Sequence, residues 1–105
     1  MKITFPVFNN NSIYFFCGKK GLEQYKKMIV MNGYDQHIDN DDDLGCCIGR
    51  YLWVKTYKRS SIIHEVCHVV SNLTFYLGIQ DTEVGDYLTE YIIETILTKY
   101  KGAKK

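Results

Sequence analysis

Residues 60–78 read SSIIHEVCHVVSNLTFYLG, and this segment decides how the rest of the chain has to be arranged. Apolar side chains recur in it at helical spacing, at Ile62, Val66, Val69, Leu73 and Leu77. This period predicts a helix over residues 62–77 with one apolar face. Ser60 and Ser61 are residues favoured at a helix N-cap, and Gly78 is typical of the position that follows a helix end. The helix therefore needs a partner that covers a single face.

The flanking segments supply that partner. Residues 2–8 and 12–17 predict a β-hairpin, residues 22–31 a first helix, and residues 46–57 a third strand region. Asp81 or Thr82 predicts the cap of a third helix that ends near residue 100. The element order β-β-α-β-α-α predicts an α+β fold with a small, mostly antiparallel sheet and three helices. A chain of 105 residues provides one modest core, so we expect a single domain over residues 1–105.

Composition excludes several classes of protein. A hydrophobic content of 46% argues against disorder, and a formal net charge of +1 argues against nucleic acid as a partner. No segment approaches the roughly 20 apolar residues that span a membrane. The four cysteines have no C-x-x-C spacing, and adjacent Cys46 and Cys47 should point to opposite faces of a strand. This cysteine usage favours a reducing, cytoplasmic setting; the sequence leaves the oligomeric state open.

The predicted second helix carries the only chemically specific motif, His64-Glu65-Val66-Cys67-His68. Positions i and i+4 of a helix share one face, so both imidazoles can reach one metal ion, and the glutamate between them can take a proton from a water. The histidines lie beside the apolar stripe. This placement suits the floor of a cleft, and it equally suits two ordinary surface histidines.

The following helix completes a resemblance to a known family. The block Asp81-x-Glu83-Val84-Gly85-Asp86-Tyr87-Leu88-x-x-Tyr91, together with the H-E-x-x-H motif, resembles small phage and prophage metallopeptidase-like proteins and, more loosely, the minigluzincins. The resemblance covers about residues 46–97. It implies a minigluzincin-like fold, a Zn²⁺ cofactor held by His64, His68 and Glu83, and Glu65 as the general base in peptide-bond hydrolysis.

Helix geometry favours a different third ligand. His68 lies about 15 Å up its helix from the predicted turn at 1.5 Å per residue, whereas Glu83 lies just past that turn. A strictly antiparallel helix pair would place residues near Tyr91 opposite His68, which favours Glu90 or Glu94. Glu83 reaches the ion if the helices cross at a wide angle, so it stays the first choice and Glu90 is its named rival. His37 is a further candidate upstream.

The sequence leaves two other points open. The oxyanion formed in hydrolysis needs a donor, and the candidates are Tyr51, Tyr57, Arg59, Tyr87 and His37. In similar enzymes the strand before the motif holds an extended peptide, which here would be residues 47–54; an ordinary core strand with Trp53 packed inward explains the same pattern. The partner is a peptide or a protein in either case. The alternative to an enzyme is a phage-type inhibitor or regulatory binding protein on the same scaffold, with zinc structural or absent.

Overall fold

The computed structural model describes residues 1–5, 11–34 and 44–100 of the chain. Along the chain the elements are β1 (Lys2–Thr4), β2 (Ser12–Cys17), α1 (Gly18–Met31), β3 (Gly45–Ile48), β4 (Tyr51–Val54), α2 (Arg59–Leu77) and α3 (Thr82–Lys99). The predicted α+β class with three helices is confirmed. Among these residues no helix combines the length and the apolar character needed to cross a membrane.

Four strands form one sheet in the order β1-β2-β4-β3. The outer pairs β1/β2 and β3/β4 are antiparallel, whereas the central pair β2/β4 is parallel and joins Tyr14 to Tyr51 in register. The sheet is therefore mostly antiparallel, as the sequence predicts, and β1 and β3 are its edge strands.

Helices cover both faces of this sheet. Strand side chains alternate between the faces, because successive residues of a strand point in opposite directions. Leu52 and Val54 of β4 belong to the larger core cluster with residues of α2 and α3, while Tyr51 and Trp53 belong to a smaller cluster with Tyr25 of α1. All four residues of β4 are buried, as expected for an internal strand covered on both sides.

The predicted single strand over residues 46–57 is instead a hairpin. Ile48 pairs with Tyr51, so Gly49 and Arg50 form the turn. Gly49 has φ +57°, and a Cβ there would lie 2.6 Å from the Tyr34 hydroxyl. Glycine allows both the left-handed backbone and the contact with Tyr34, and the chain can reverse within a segment that its apolar residues mark as strand.

Two helix starts also differ from prediction. Helix α1 begins at Gly18 rather than residue 22 and includes Gly21, which lies against the Phe16 backbone, where a Cβ would be 3.2 Å from the carbonyl carbon. Helix α2 begins at Arg59, with Lys58 as its N-cap and no side-chain cap bond, so Ser60 and Ser61 are not caps. Its first turn closes where the Ile62 N–H donates to the Lys58 carbonyl at 3.0 Å.

The end of α2 and the start of α3 lie where the sequence predicts them. Gly78 follows α2 in the left-handed conformation, with φ 70°. The Asp81 carboxylate caps α3 by accepting a hydrogen bond of 2.9 Å from the Glu83 N–H. Helices α2 and α3 pack against each other on the same face of the sheet, and their buried residues include Val66 and Ile92.

Candidate metal centre

The two histidines of the motif lie together on the exposed side of α2. Their Nε2 atoms are 3.2 Å apart, and the ring planes are inclined at 80°. The side chain of His64 is 69% exposed. The pair is therefore open to solvent, with the two Nε2 atoms next to each other.

The spacing of these nitrogens fits a shared metal ion. At a Zn–N distance of about 2.0–2.1 Å, two tetrahedral ligand positions are about 3.3–3.4 Å apart. The observed 3.2 Å is close to that value. The same distance also fits a hydrogen bond between two neutral imidazoles, in which one Nε2 carries a proton that a metal ion would displace.

Glu65 lies between the histidines in sequence but is buried, with 6% of its surface exposed. Its Oε2 atom is 3.9 Å from the His64 Nε2. Strand β3 covers it closely: a Cβ on Gly45 would be 2.9 Å from the Glu65 Cγ and 3.0 Å from Oε2. The carboxylate therefore lies under the edge strand and beside the histidine pair.

The charge of Glu65 also acts on the thiol of Cys47. Burial, and secondarily the Glu65 carboxylate and Cys46, raise the pKa of Cys47 to about 12. Its Sγ accepts a hydrogen bond of 3.6 Å from the Asn72 side-chain amide. A thiol with a raised pKa stays protonated near neutral pH, so Cys47 is a poor nucleophile in the metal-free protein. Cys46 packs in the cluster on the other face of the sheet, and the predicted opposite orientation of the two cysteines is confirmed.

A third ligand does not join the histidine pair in the described structure. Across residues 1–5, 11–34 and 44–100, no three His, Cys, Asp or Glu side chains are placed to hold one metal ion. Glu83 is exposed in the first turn of α3, and Glu90 and Glu94 line a groove between α2 and α3 with Arg59. His37 lies outside the described residues. The structure thus brings together His64, Glu65 and His68 and groups neither Glu83 nor Glu90 with them.

The candidate oxyanion donors are dispersed. The Tyr57 hydroxyl donates to the Ile96 carbonyl at 3.1 Å, and Tyr51 is buried on the α1 side of the sheet. Arg59 and Tyr87 line the groove between α2 and α3. None of these four has a contact with the histidine pair among the interactions of the described residues.

Two residues near the site have no obvious signal in the sequence. Gly45 matters through its contact with Glu65, which only the packing of β3 on α2 reveals. Asn72 donates to the Gly49 carbonyl at 3.3 Å and so ties α2 to the β3–β4 turn. It follows His68 by four residues and lies on the same side of the helix, which is the one sequence clue to its place.

Comparisons with protein-family models, with curated proteins and with solved structures gave no match to this chain.

Proposed function

We propose that the protein is a zinc-dependent, metallopeptidase-like hydrolase of the H-E-x-x-H type, similar to the minigluzincins. The convergence of the His64 and His68 Nε2 atoms, 3.2 Å apart beside the carboxylate of Glu65, carries the proposal. His64 and His68 would hold the ion through neutral imidazoles, the form in which histidine binds zinc. Glu83 and Glu90 are the candidates for a third ligand, and among the described residues neither carboxylate is grouped with the histidine pair.

Zinc bound there would supply Lewis acidity, which lowers the pKa of a water and polarises a carbonyl. Glu65 would act as the general base. A water in front of the histidine pair donates a hydrogen bond to Oε2, its oxygen attacks the scissile carbonyl carbon, and its proton passes to Glu65. Glu65 then returns that proton to the leaving amine as the C–N bond breaks. The cover provided by β3 keeps this carboxylate in a fixed position with little bulk water.

Strand β3 is suited to hold the peptide. It is the edge strand nearest the motif, whereas β4, which contains Trp53, is internal. The Lys55 N–H donates to the Leu44 carbonyl at 2.9 Å, and hydrogen-bonded pairs alternate along an antiparallel ladder. Gly45 and Cys47 therefore direct their backbone N–H and C=O groups away from β4. An extended peptide could add to this edge next to Glu65.

Zinc binding is tested first, without any substrate. We expect the protein purified without added zinc to bind about one zinc ion per chain by mass spectrometry and competition with a chromophoric chelator. His64→Ala/His68→Ala should lose this zinc, whereas Cys67→Ser should keep it and so exclude the exposed thiol as the ligand. Equal zinc affinity in the wild type and the double histidine variant would reject the metal centre.

Hydrolysis is tested with Glu65→Gln, which preserves shape and removes the base. Removal of a general base costs about 10²- to 10⁴-fold in rate. We expect this loss for cleavage of a quenched-fluorescent peptide library, with zinc content unchanged. Cleavage that persists in Glu65→Gln would rule out the assigned base.

The exposed histidine pair, grouped with no third protein ligand in the described residues, also fits a second function. In that case the chain is a non-enzymatic inhibitor or regulatory binding protein of the phage type. Zinc retained by the wild type with no cleavage of any library peptide would favour this alternative, in which the ion serves structure.

A further inference from the structure

A cavity lies one helical turn beyond the histidine pair. It has a volume of about 370 Å³ and lies where the β3–β4 turn, the end of α1 and the C-terminal half of α2 meet. Its side chains include Asn32, Tyr34, Arg50, Tyr51, Asn72 and Tyr76. This volume is within the range of cavities that bind small ligands or single side chains.

The charge that the described residues bring to the cavity is positive. Arg50 is the one charged side chain among the described residues that line the cavity, and no described carboxylate lines it. The guanidinium carbon of Arg50 lies 5.1 Å from the centroid of the Tyr76 ring, which is 72% exposed. An arginine held against an aromatic ring keeps its N–H groups in a planar fork that matches a carboxylate.

The cavity is held in shape by backbone contacts around Arg50. The Arg50 carbonyl accepts a hydrogen bond of 2.8 Å from the Tyr14 N–H, and Gly49 is fixed from the other side by Asn72. The Tyr34 and Tyr51 rings meet edge-on with centroids 6.4 Å apart. Arg50 therefore lies in a turn that is held by hydrogen bonds, next to the aromatic rings that line the cavity.

We propose that this cavity, which we call the Arg50 pocket, binds a carboxylate group of a peptide. The assignment of that peptide as a substrate rests on the proposed hydrolase function, but the recognition of a carboxylate does not. Strand β3 and the turn that follows it connect the two sites: Gly45 at the start of β3 lies against Glu65, and the carbonyl of Gly49 in the turn accepts a hydrogen bond from Asn72.

The distances suit an extended chain. Asn72 and Tyr76 follow His68 by one and two turns, which corresponds to about 6 and 12 Å along the helix. An extended peptide rises about 3.3–3.6 Å per residue. A peptide bond placed at the histidine pair would therefore put a group two to four residues away in the Arg50 pocket.

The test uses metal-free protein, so it does not depend on zinc or on hydrolysis. Three blocked dipeptides serve as probes in nitrogen-15 NMR titrations: acetyl-Ala-Phe with a free carboxylate, the same dipeptide amidated, and acetyl-Ala-Glu-amide. We expect saturable shifts of the Gly49, Arg50 and Asn72 signals, with at least one carboxylate probe bound about tenfold more tightly than the amidated dipeptide. Preference for the first or the third probe tells a chain-terminal carboxylate from an acidic side chain.

Variants then assign the preference to one residue. Arg50→Gln should abolish the tenfold difference, and Arg50→Lys should recover part of it, because lysine keeps the charge but loses the fork. Arg59→Gln, which changes the other arginine of the chain, should leave it intact. Equal binding of acid and amide, shifts outside the Arg50 pocket, or an undiminished preference in Arg50→Gln would overturn the proposal. Carboxylate binding without zinc binding would refute the hydrolase and leave the pocket in place.

Discussion

The close contact between Gly45 and Glu65 predicts that Gly45→Ala lowers the stability of the protein. The new methyl group would lie 2.8 Å from the Trp53 carbonyl oxygen and 2.9 Å from the Glu65 Cγ. The Trp53 oxygen belongs to the backbone of β4, the partner of β3, so it cannot rotate away. Strand β3 therefore has to shift relative to β4, and the Glu65 side chain has to give way as well unless that shift also carries β3 away from it.

The expected loss of stability follows from two opposing terms. Overpacking costs about 1–3 kcal/mol. The alanine returns about 0.4–1 kcal/mol by restricting the unfolded chain. The central values, about 2 and about 0.7 kcal/mol, leave a net loss of roughly 1.3 kcal/mol, which lowers the melting temperature by roughly 5–10 °C for a domain of this size.

Thermal unfolding followed by circular dichroism measures this loss. Gly85→Ala is the matched control, because a Cβ there has nothing within 4 Å and the residue lies inside α3. That variant should gain roughly 0.5–1 kcal/mol from helix formation. A melting temperature for Gly45→Ala equal to or above that of the wild type would refute the tight packing of β3 on Glu65. Unchanged peptide cleavage with lowered stability would refute only the role of β3 in holding the base.

Three further predictions concern the surroundings of the site. The pKa of Cys47 is raised from 9.0 to about 12, so between these pH values the folded protein keeps a proton that the unfolded chain releases. The free energy of unfolding should therefore fall between about pH 9 and 12. Urea titrations should show a smaller fall in Cys47→Ala, and the same dependence of unfolding free energy on pH in both proteins would contradict this. Iodoacetamide at pH 8 should label exposed Cys67 in the folded protein and Cys47 only after unfolding. Mass spectrometry of the digested protein locates the label. Equal labelling rates of the two thiols in the folded protein would place Cys47 at the surface. Glu83→Gln and Glu90→Gln should each change zinc affinity less than about threefold, since neither carboxylate is grouped with the histidine pair in the described residues. Chelator competition measures this affinity. A tenfold loss in one variant would identify the replaced glutamate as the third ligand.

The predictable part of the fold follows from local patterns. The apolar stripe of α2, the glycine after it and the Asp81 cap depend on neighbours within one or two turns, so the sequence defines them well. The sequence does not indicate the hairpin at Gly49, because Ile48 and Tyr51 continue the apolar run across the turn. Helix α1 begins before residue 22 and includes Gly21, whose lack of a side chain permits a contact between α1 and β2 that no local pattern indicates.

The candidate site likewise has one part that follows from local sequence and another that depends on packing between separate elements. The convergence of His64 and His68 is a property of one helix, and it agrees with the spacing of the motif. The place of Glu83 depends on how α3 crosses α2, and the buried state of Glu65 depends on a strand that precedes it by about 20 residues. No local pattern defines those relations, which arise only when separate elements pack.

The parallel pairing of β2 with β4 has a consequence for how the protein is made. The two antiparallel hairpins are each local, but Tyr14 meets Tyr51 only after a long loop has closed, and such closure is the slow, entropically costly part of folding. Strand β2 therefore gains its central partner only when the ribosome has delivered residues 51–54. We expect chains that are cut before that point to remain unfolded, and we expect Leu52, at the middle of this junction, to be a residue whose truncation slows folding more than it speeds unfolding.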